Sequence, residues 1–353
     1  RSSLVALELA MALVVLIGGG LMFKSLLRQM GVDPGFEASG VVSLRLELPG
    51  ARYSDDQLLQ DFYGAVVSEG RDLRGDNGAS LTTDLPTGRT MRDGNLYPEG
   101  ADLGTGKAPI YPFSSVAPSY FSTMGISLIQ GRDFGEEDGR DEAPEAVVVN
   151  DLFARRHWPN ENPIGKRIAR GDGPPSSEDG WARVVGVVGS TFTDGFGEPS
   201  RPTVYRPIHR ETALSVFLVA KTAIGTRASF DQLRAVIQGI DPGVPISLSR
   251  TMDRALLEEN WQLRFYTWLF GIFSLIAVFM ASAGVYGVMS FAVASRSREF
   301  SLRMAVGAAP RQVKRLALRQ VLTLSSAGSI LGIAGSLSGV GFLSGMLFQV
   351  RPT

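Results

Sequence analysis

SRSREFSLRMAVGAAPRQVKR, Ser295–Arg315, sets six positive charges beside a single Glu. It follows directly on FYTWLFGIFSLIAVFMASAGVYGVMSFAVAS, Phe265–Ser295, a run with no charge at all. Twenty helical residues cover about 30 Å, the thickness of a hydrocarbon core, so this run is long enough to cross a membrane. Trp268 and Tyr266 stand at its start as an interfacial aromatic belt would. The loop that follows carries Arg296, Arg298, Arg303, Arg311, Lys314, Arg315 and Arg319 against Glu299 alone. Each cation would cost about 2.5–3.5 kcal/mol at a bilayer centre, and short basic loops stay cytoplasmic. The loop is therefore expected inside, and Gly31 to Arg264 outside.

Two further apolar runs follow this logic. LVALELAMALVVLIGGGLMF, between Arg1 and Lys24, carries only Glu8 as a charge. A cleavable signal peptide would have a shorter apolar region followed by a small-residue cleavage site, and no such site is evident. Glu8 is expected within reach of the headgroups, with a functional intramembrane acid as the sharper alternative. The third run, about Val321–Phe348, pairs Gly328/Gly332, Gly335/Gly339 and Gly341/Gly345 four residues apart. That spacing lets two helices approach closely, so a packing face is expected there. Lys24 and Arg28 oppose the assigned orientation, two cations against seven. A chain that opens on Arg1 and closes just after an apolar run is expected to be part of a longer one.

The average composition hides this segregation: 353 residues, 44% hydrophobic, zero net charge, 41 Gly and no Cys. Zero charge argues against a nucleic-acid binder, and the lack of Cys removes disulfides and thiolate metal sites. Residues 31–262 are polar, mixed and long enough to bury a core. Val41–Leu48 alternates as a strand, Ser54 is placed to cap a helix running to Ser68, and Ala79–Thr83 is a second strand. The pattern recurs as strand Ser215–Lys221, helix Ser229–Ile240, strand Val244–Ser249 and a helix from Thr251. Two strand–helix–strand units thus flank an insertion of about 116–212, which predicts an α+β domain of split βαβ units with an inserted β-rich subdomain. Within the insertion, Ala146–Val149 and Trp181–Gly189 read as strands and Gly171–Gly180 as a surface loop.

Chemistry-bearing constellations are missing. His157 and His209 have no ligand-like spacing, and EEDGRDE, Glu136–Glu142, lacks a Ca²⁺-loop pattern and reads as a solvated loop. No G-x-x-x-x-G-K-[ST] occurs; the Gly-Lys pairs at Lys107 and Lys166 are followed by Ala and Arg. The expectation is a chain that is not an enzyme, with no catalytic, cofactor or metal site.

Several stretches resemble one family. REFSLRMAVGA, Arg298–Ala308, is similar to the REIGIRMALGA signature of FtsX-like ABC-transporter permeases. VAPSYFSTMGISLIQGRDF (Val116–Phe134), NENPIGKRI (Asn160–Ile168) and WARVVGVVGSTFTDGF (Trp181–Phe196) resemble the periplasmic core domain of MacB-type permeases. ASAGVYGVMSFAVASRSRE, Ala281–Glu299, extends the likeness, which covers essentially the whole chain and most resembles the second half of the large duplicated permeases of acidobacteria. Phe300 and Ser301 depart from the family's usual Ile and Gly. A fourth helix of the family's unit is not seen.

The resemblance implies an α-helical membrane protein of the bacterial inner membrane, multi-pass, with its large domain in the periplasm. It divides the chain into transmembrane helix 1 (1–30), the core domain (31–262) and a permease region (263–353) with a cytoplasmic coupling loop at 296–319. Arg298, Glu299, Arg303, Gly307, Ala308 and Arg311 then occupy the elbow that couples to an ATP-binding subunit. ATP and Mg²⁺ would sit on that partner, and this chain would hold no cofactor. Other implied partners are a second permease half or a homodimer, the lipid bilayer and, in efflux systems, a periplasmic adaptor and an outer-membrane protein. Nucleic acid is not among them. The implied role is transmission of ATP-driven motion for efflux or export; alternatives are a non-transporting regulator that activates cell-wall hydrolases, or a receptor with an extracytoplasmic sensor. The physics agrees on one point independently: no proline interrupts Leu263–Ala309, so one helix could overhang a bilayer at both faces.

Overall fold

The computed structural model describes the chain except for residues 1, 31–32, 75–77, 88–90, 102–105, 140–143, 193–199, 222–225, 260, 296, 298–321, 324 and 339–353. It divides into two compact units, one of residues 33–260 and one of 1–32 with 261–353.

The first unit begins with β1 (Val41–Glu47), α2 (Asp56–Arg74) and β2 (Ala79–Thr82) and ends with β10 (Ser215–Lys221), α5 (Thr226–Ile240), β11 (Ile246–Thr251) and α6 (Met252–Glu259). α1 (Ser2–Met30) precedes it in the chain. The strands interleave in the order β11-β1-β10-β2, all neighbours antiparallel. Each strand–helix–strand unit is therefore split by a strand from the other. The helices follow from their apolar spacing: Leu59, Phe62, Tyr63, Val66 and Val67 of α2 and Leu233 and Ile237 of α5 are buried against this sheet. Burial of each such side chain contributes about 1.5–3 kcal/mol.

Between these units lie β3 (Arg92–Pro98), β4 (Ile110–Val116), α3 (Tyr120–Thr123), β5 (Leu128–Gly131), β6 (Ala146–Asn150), α4 (Asp151–His157), β7 (Arg167–Arg170), β8 (Trp181–Val188) and β9 (Val204–Pro207). The order β4-β3-β7-β8-β6-β9 returns to β4 through a parallel β4–β9 pairing, so six strands close on themselves. Their inward residues, with Phe153 and Trp158 at α4, form one core. The alternate residues Ala146 and Val148 join a middle core with Phe121, Tyr205 and Phe217. This alternation is the two-residue period of a strand buried on both faces. The closed set meets β2 through a single residue pair, Thr82 with Val116.

Several boundaries differ from expectation. α2 starts at Asp56, and Asp55, not Ser54, caps it, its Oδ1 accepting the Gln57 N–H at 2.8 Å. A carboxylate at the first turn also meets the helix dipole, which a hydroxyl does not. β11 begins at Ile246, because the Asp241 carboxylate holds the preceding turn through Gly243 N–H and Tyr53 Oη at 2.8 and 2.7 Å. Asp138, read as part of a solvated loop, is only 4% exposed and is gripped by Arg132 at 2.6 and 2.8 Å. A charge-assisted bidentate pair makes up for its removal from water. His157 is held inside the fold: its ring packs on Phe153, its Nε2 lies 2.7 Å from Tyr111 Oη, and burial pulls its pKa down to about 4.

In the second unit α1 and α7 (Trp261–Ser295) are long enough and apolar enough to cross a membrane. Residues 322–323 and 325–338 are also helical, and the latter stretch is termed α8.

Candidate functional site: a three-helix seam

The second unit packs through its smallest residues. A Cβ built on Gly328 would lie 2.9 Å from Ala6 O and 2.8 Å from Leu9 Cβ. One on Gly332 would lie 2.9 Å from both Ala10 O and Leu13 Cβ, and one on Gly335 would lie 3.4 Å from Val14 Cγ2. α8 therefore rides on the backbone of α1, at a distance that only glycine permits. The contacts climb together, residues 328, 332 and 335 meeting successively higher positions of α1, so α8 runs parallel to it. Gly339, Gly341 and Gly345 lie outside the described residues.

The other side of α1 holds α7. A Cβ on Gly19 would approach Ser274 Oγ at 2.8 Å, and one on Gly284 would approach the Glu8 carboxylate at 2.6 Å. Here the numbering runs in opposite senses, so α7 is antiparallel to α1. Ser274 Oγ lies 2.7 Å from Phe270 O, in its own helix, and 3.2 Å from Val15 O across the seam. The hydroxyl is thus satisfied within the helix pair, as a polar group must be where no water reaches it. Glu8 lies in the notch that Gly284 leaves open rather than at a free helix end. Ser274, Ala281 and Gly284 fall on one face of α7 at spacings of seven and three, the face with small side chains.

Among the described residues, the seam fixes helix directions in the order up, down, up. Among the described residues no group of three or more His, Asp or Glu is placed to hold a metal. The elbow residues Arg298, Glu299, Arg303, Gly307, Ala308 and Arg311 lie outside the described residues. The small-residue periodicity in α8 pointed to its half of the seam. Its α1–α7 half was missed, although Ser274, Ala281 and Gly284 carry the same signal more weakly among large neighbours.

Two family models match the chain. The MacB-like periplasmic core domain covers residues 99–240, and the FtsX-like permease C-terminal region covers residues 271–352. Among curated proteins, the probable syringafactin export ATP-binding/permease protein of Pseudomonas syringae pv. tomato is 22% identical over 92% of this chain and 50% of its own length. The macrolide export ATP-binding/permease protein MacB of Bartonella henselae is 24% identical over 74% of this chain and 38% of its own length. The chain thus spans half or less of these relatives. A solved structure of the periplasmic region of MacB from Actinobacillus actinomycetemcomitans is 15% identical, with a TM-score of 0.39, over 64% of this chain and 95% of that one.

Proposed function

We propose that this chain, an FtsX-like permease with a MacB-like periplasmic core domain, is the non-catalytic membrane subunit of an ATP-driven export machine. On this reading it turns closure of a partner ATP-binding subunit into motion of residues 33–260 on the far side of an inner membrane. The observation that carries the reading is the seam. Three apolar helices alternate in direction, and the outer domain is inserted between the first two.

The dimensions fit a bilayer. Trp268 and Tyr286 are about three-quarters exposed and eighteen residues apart, which is about 27 Å along α7, close to the thickness of a hydrocarbon core. Aromatic side chains gather at such interfaces. α7 has 35 residues, so it overhangs that span and can carry displacement past both headgroup layers. The Arg298–Ala308 elbow would rest on the ATPase, and ATP and Mg²⁺ would be bound there. A second permease half would complete the assembly. The export cargo would be moved by the outer domain, not bound in a pocket of this chain.

The test reverses charge at the elbow. Arg298→Glu with Arg303→Glu should abolish co-purification of the ATP-binding subunit and uncouple its ATPase activity from this chain, while membrane insertion is kept. Undiminished association and coupled hydrolysis would overturn the coupling role.

A further inference from the structure

We propose that Glu8 and Ser274 are reciprocal keys that set the register of α7 on α1, each seated in a glycine notch of the opposite helix. The proposal rests on the membrane placement of the helical unit and goes beyond it by naming the side chains that position α7.

The two contacts mirror each other. α1 offers Gly19 to Ser274 of α7, and α7 offers Gly284 to Glu8 of α1. A Cβ on Gly19 would meet Ser274 Oγ at 2.8 Å and Phe270 O at 3.4 Å. For a Cβ on Gly284 the three nearest atoms would all belong to the Glu8 carboxyl group, at 2.6, 3.3 and 3.6 Å. A Cβ on Gly20 of α1, or on Gly271 or Gly287 of α7, would meet nothing within 4 Å. Glycine content alone therefore does not make these contacts; two glycines are singled out by the polar side chains seated on them. Glu8 and Gly19 are eleven residues apart and Ser274 and Gly284 are ten, as two antiparallel helices in one register require. Gly284 stands eleven residues, about 16 Å, before the charge-free run ends at Ser295. The Glu8 carboxyl group thus meets α7 within that run and not beyond it.

Lipid makes such keys necessary. A helix that slips past its neighbour there exchanges one apolar contact for another, so large side chains do not fix the register. Polar groups do, because one turned out of its notch faces hydrocarbon without a partner. Ser274 Oγ shares its single proton between Phe270 O at 2.7 Å and Val15 O at 3.2 Å, and the second bond exists only in this register. A slip of one turn in either sense would bring Glu8 to Met280 or Val288 and Ser274 to Val15 or Phe23. Each of those positions fills with its own side chain the space that glycine leaves open. α1 leads into the outer domain and α7 leads out of it, so such a slip would offset the two connections by about 5.4 Å along the helix axes.

Disulfide crosslinking in native membranes tests the keys, in a chain that has no Cys of its own. Ala12 and Ala281 are buried, seven residues from Gly19 and from Ser274 respectively. Ala12→Cys with Ala281→Cys therefore reports the register described above, and Ala12→Cys with Ala277→Cys or Val285→Cys reports a one-turn slip. The first pair should dominate when both keys are present. Glu8→Ala and Ser274→Ala should each lower the ratio of native to slipped crosslink by about threefold or more. Glu8→Gln, which keeps the length of the side chain and a carbonyl oxygen, should hold the ratio. Exchange of key and notch, Glu8→Gly with Gly284→Glu, should restore it, which a side chain that merely adds stability would not do. An unchanged ratio in the double alanine variant, or no recovery on exchange, would overturn the proposal. Should the double variant fail to insert, Gly284→Ala gives the same reading, because its Cβ meets only the carboxyl group. It should lower the ratio, whereas Gly287→Ala should not; equal effects would also overturn the keys. Retention of the chain in carbonate-washed membranes checks the membrane placement separately. No step needs an ATP-binding partner, so failure here would leave the coupling role of the elbow untouched.

Discussion

The two units of this chain are packed inside out with respect to each other. In residues 33–260 the largest side chains are innermost: Tyr63, Tyr120, Tyr205, Phe121 and Phe153 are all fully buried. In the helical unit the interior is mostly small residues, Ala6, Ala10, Gly19, Ser274, Ala281 and Gly332, with Met22 as a large exception, while Trp268, Leu275, Phe279 and Tyr286 point outward. The contrast fits the membrane placement of the helical unit on which the proposed function rests. In water, removal of apolar area from solvent drives folding, and large rings contribute most. In lipid the surroundings are as apolar as leucine, so helices gain by close backbone approach, and large side chains are left at the rim. One chain thus follows two packing rules, with the change falling near residues 32 and 261.

The largest effect is expected where the water rule is strongest. Phe153 is fully buried and meets Tyr111 edge-to-face, with ring centroids 5.0 Å apart. Phe153→Ala should destabilise the outer domain by about 3–5 kcal/mol, from lost transfer energy and the cavity left behind. Urea unfolding followed by near-ultraviolet circular dichroism would measure this. A loss below 1 kcal/mol would mean that the closed strand set does not depend on its own core.

The second substitution addresses the lipid rule. Gly332→Leu places a branched side chain where even a Cβ would lie 2.9 Å from Ala10 O, an atom of the α1 backbone that cannot step aside without moving the helix. Overpacking of this kind costs about 1–3 kcal/mol. A cysteine pair across α1 and α8 that crosslinks in the parent chain should then fail to do so. Crosslinking at the parent rate would show that α8 does not ride on α1 through this glycine.

Much of this contrast was legible before any coordinates. Long apolar runs mark the helices, and the four-residue glycine spacing of α8 marks its packing face, because both signals are local. The interleaving of β1 with β10 was foreshadowed by two similar strand–helix–strand patterns far apart in the chain, although not their register. Pairs that depend on tertiary closure were not legible. Arg132 lies six residues before Asp138, which stands in a stretch that reads as a solvated loop, and no local pattern announces that the guanidinium grips it. The Glu8 notch is similar: a glycine in one apolar run gives no hint that it faces a carboxylate in another, more than 270 residues earlier.

The smallest expected effect separates the two rules most sharply. Phe279 has the same side chain as Phe153, yet it is 76% exposed on the outer face of α7. Were the helical unit an ordinary soluble bundle, such a ring would be a liability, and its removal would matter through solubility. In lipid, Phe279→Ala exchanges one apolar surface for another, and the helix keeps every contact of its Ser274–Ala281–Gly284 face. Stability of the helical unit, read by unfolding in mixed micelles, should change by no more than about 0.5 kcal/mol. Should the change approach that of Phe153→Ala, the outward face of α7 would be packed against protein rather than lipid. The comparison between the two units would then have to be redrawn with Trp268, Leu275 and Phe279 counted among buried residues.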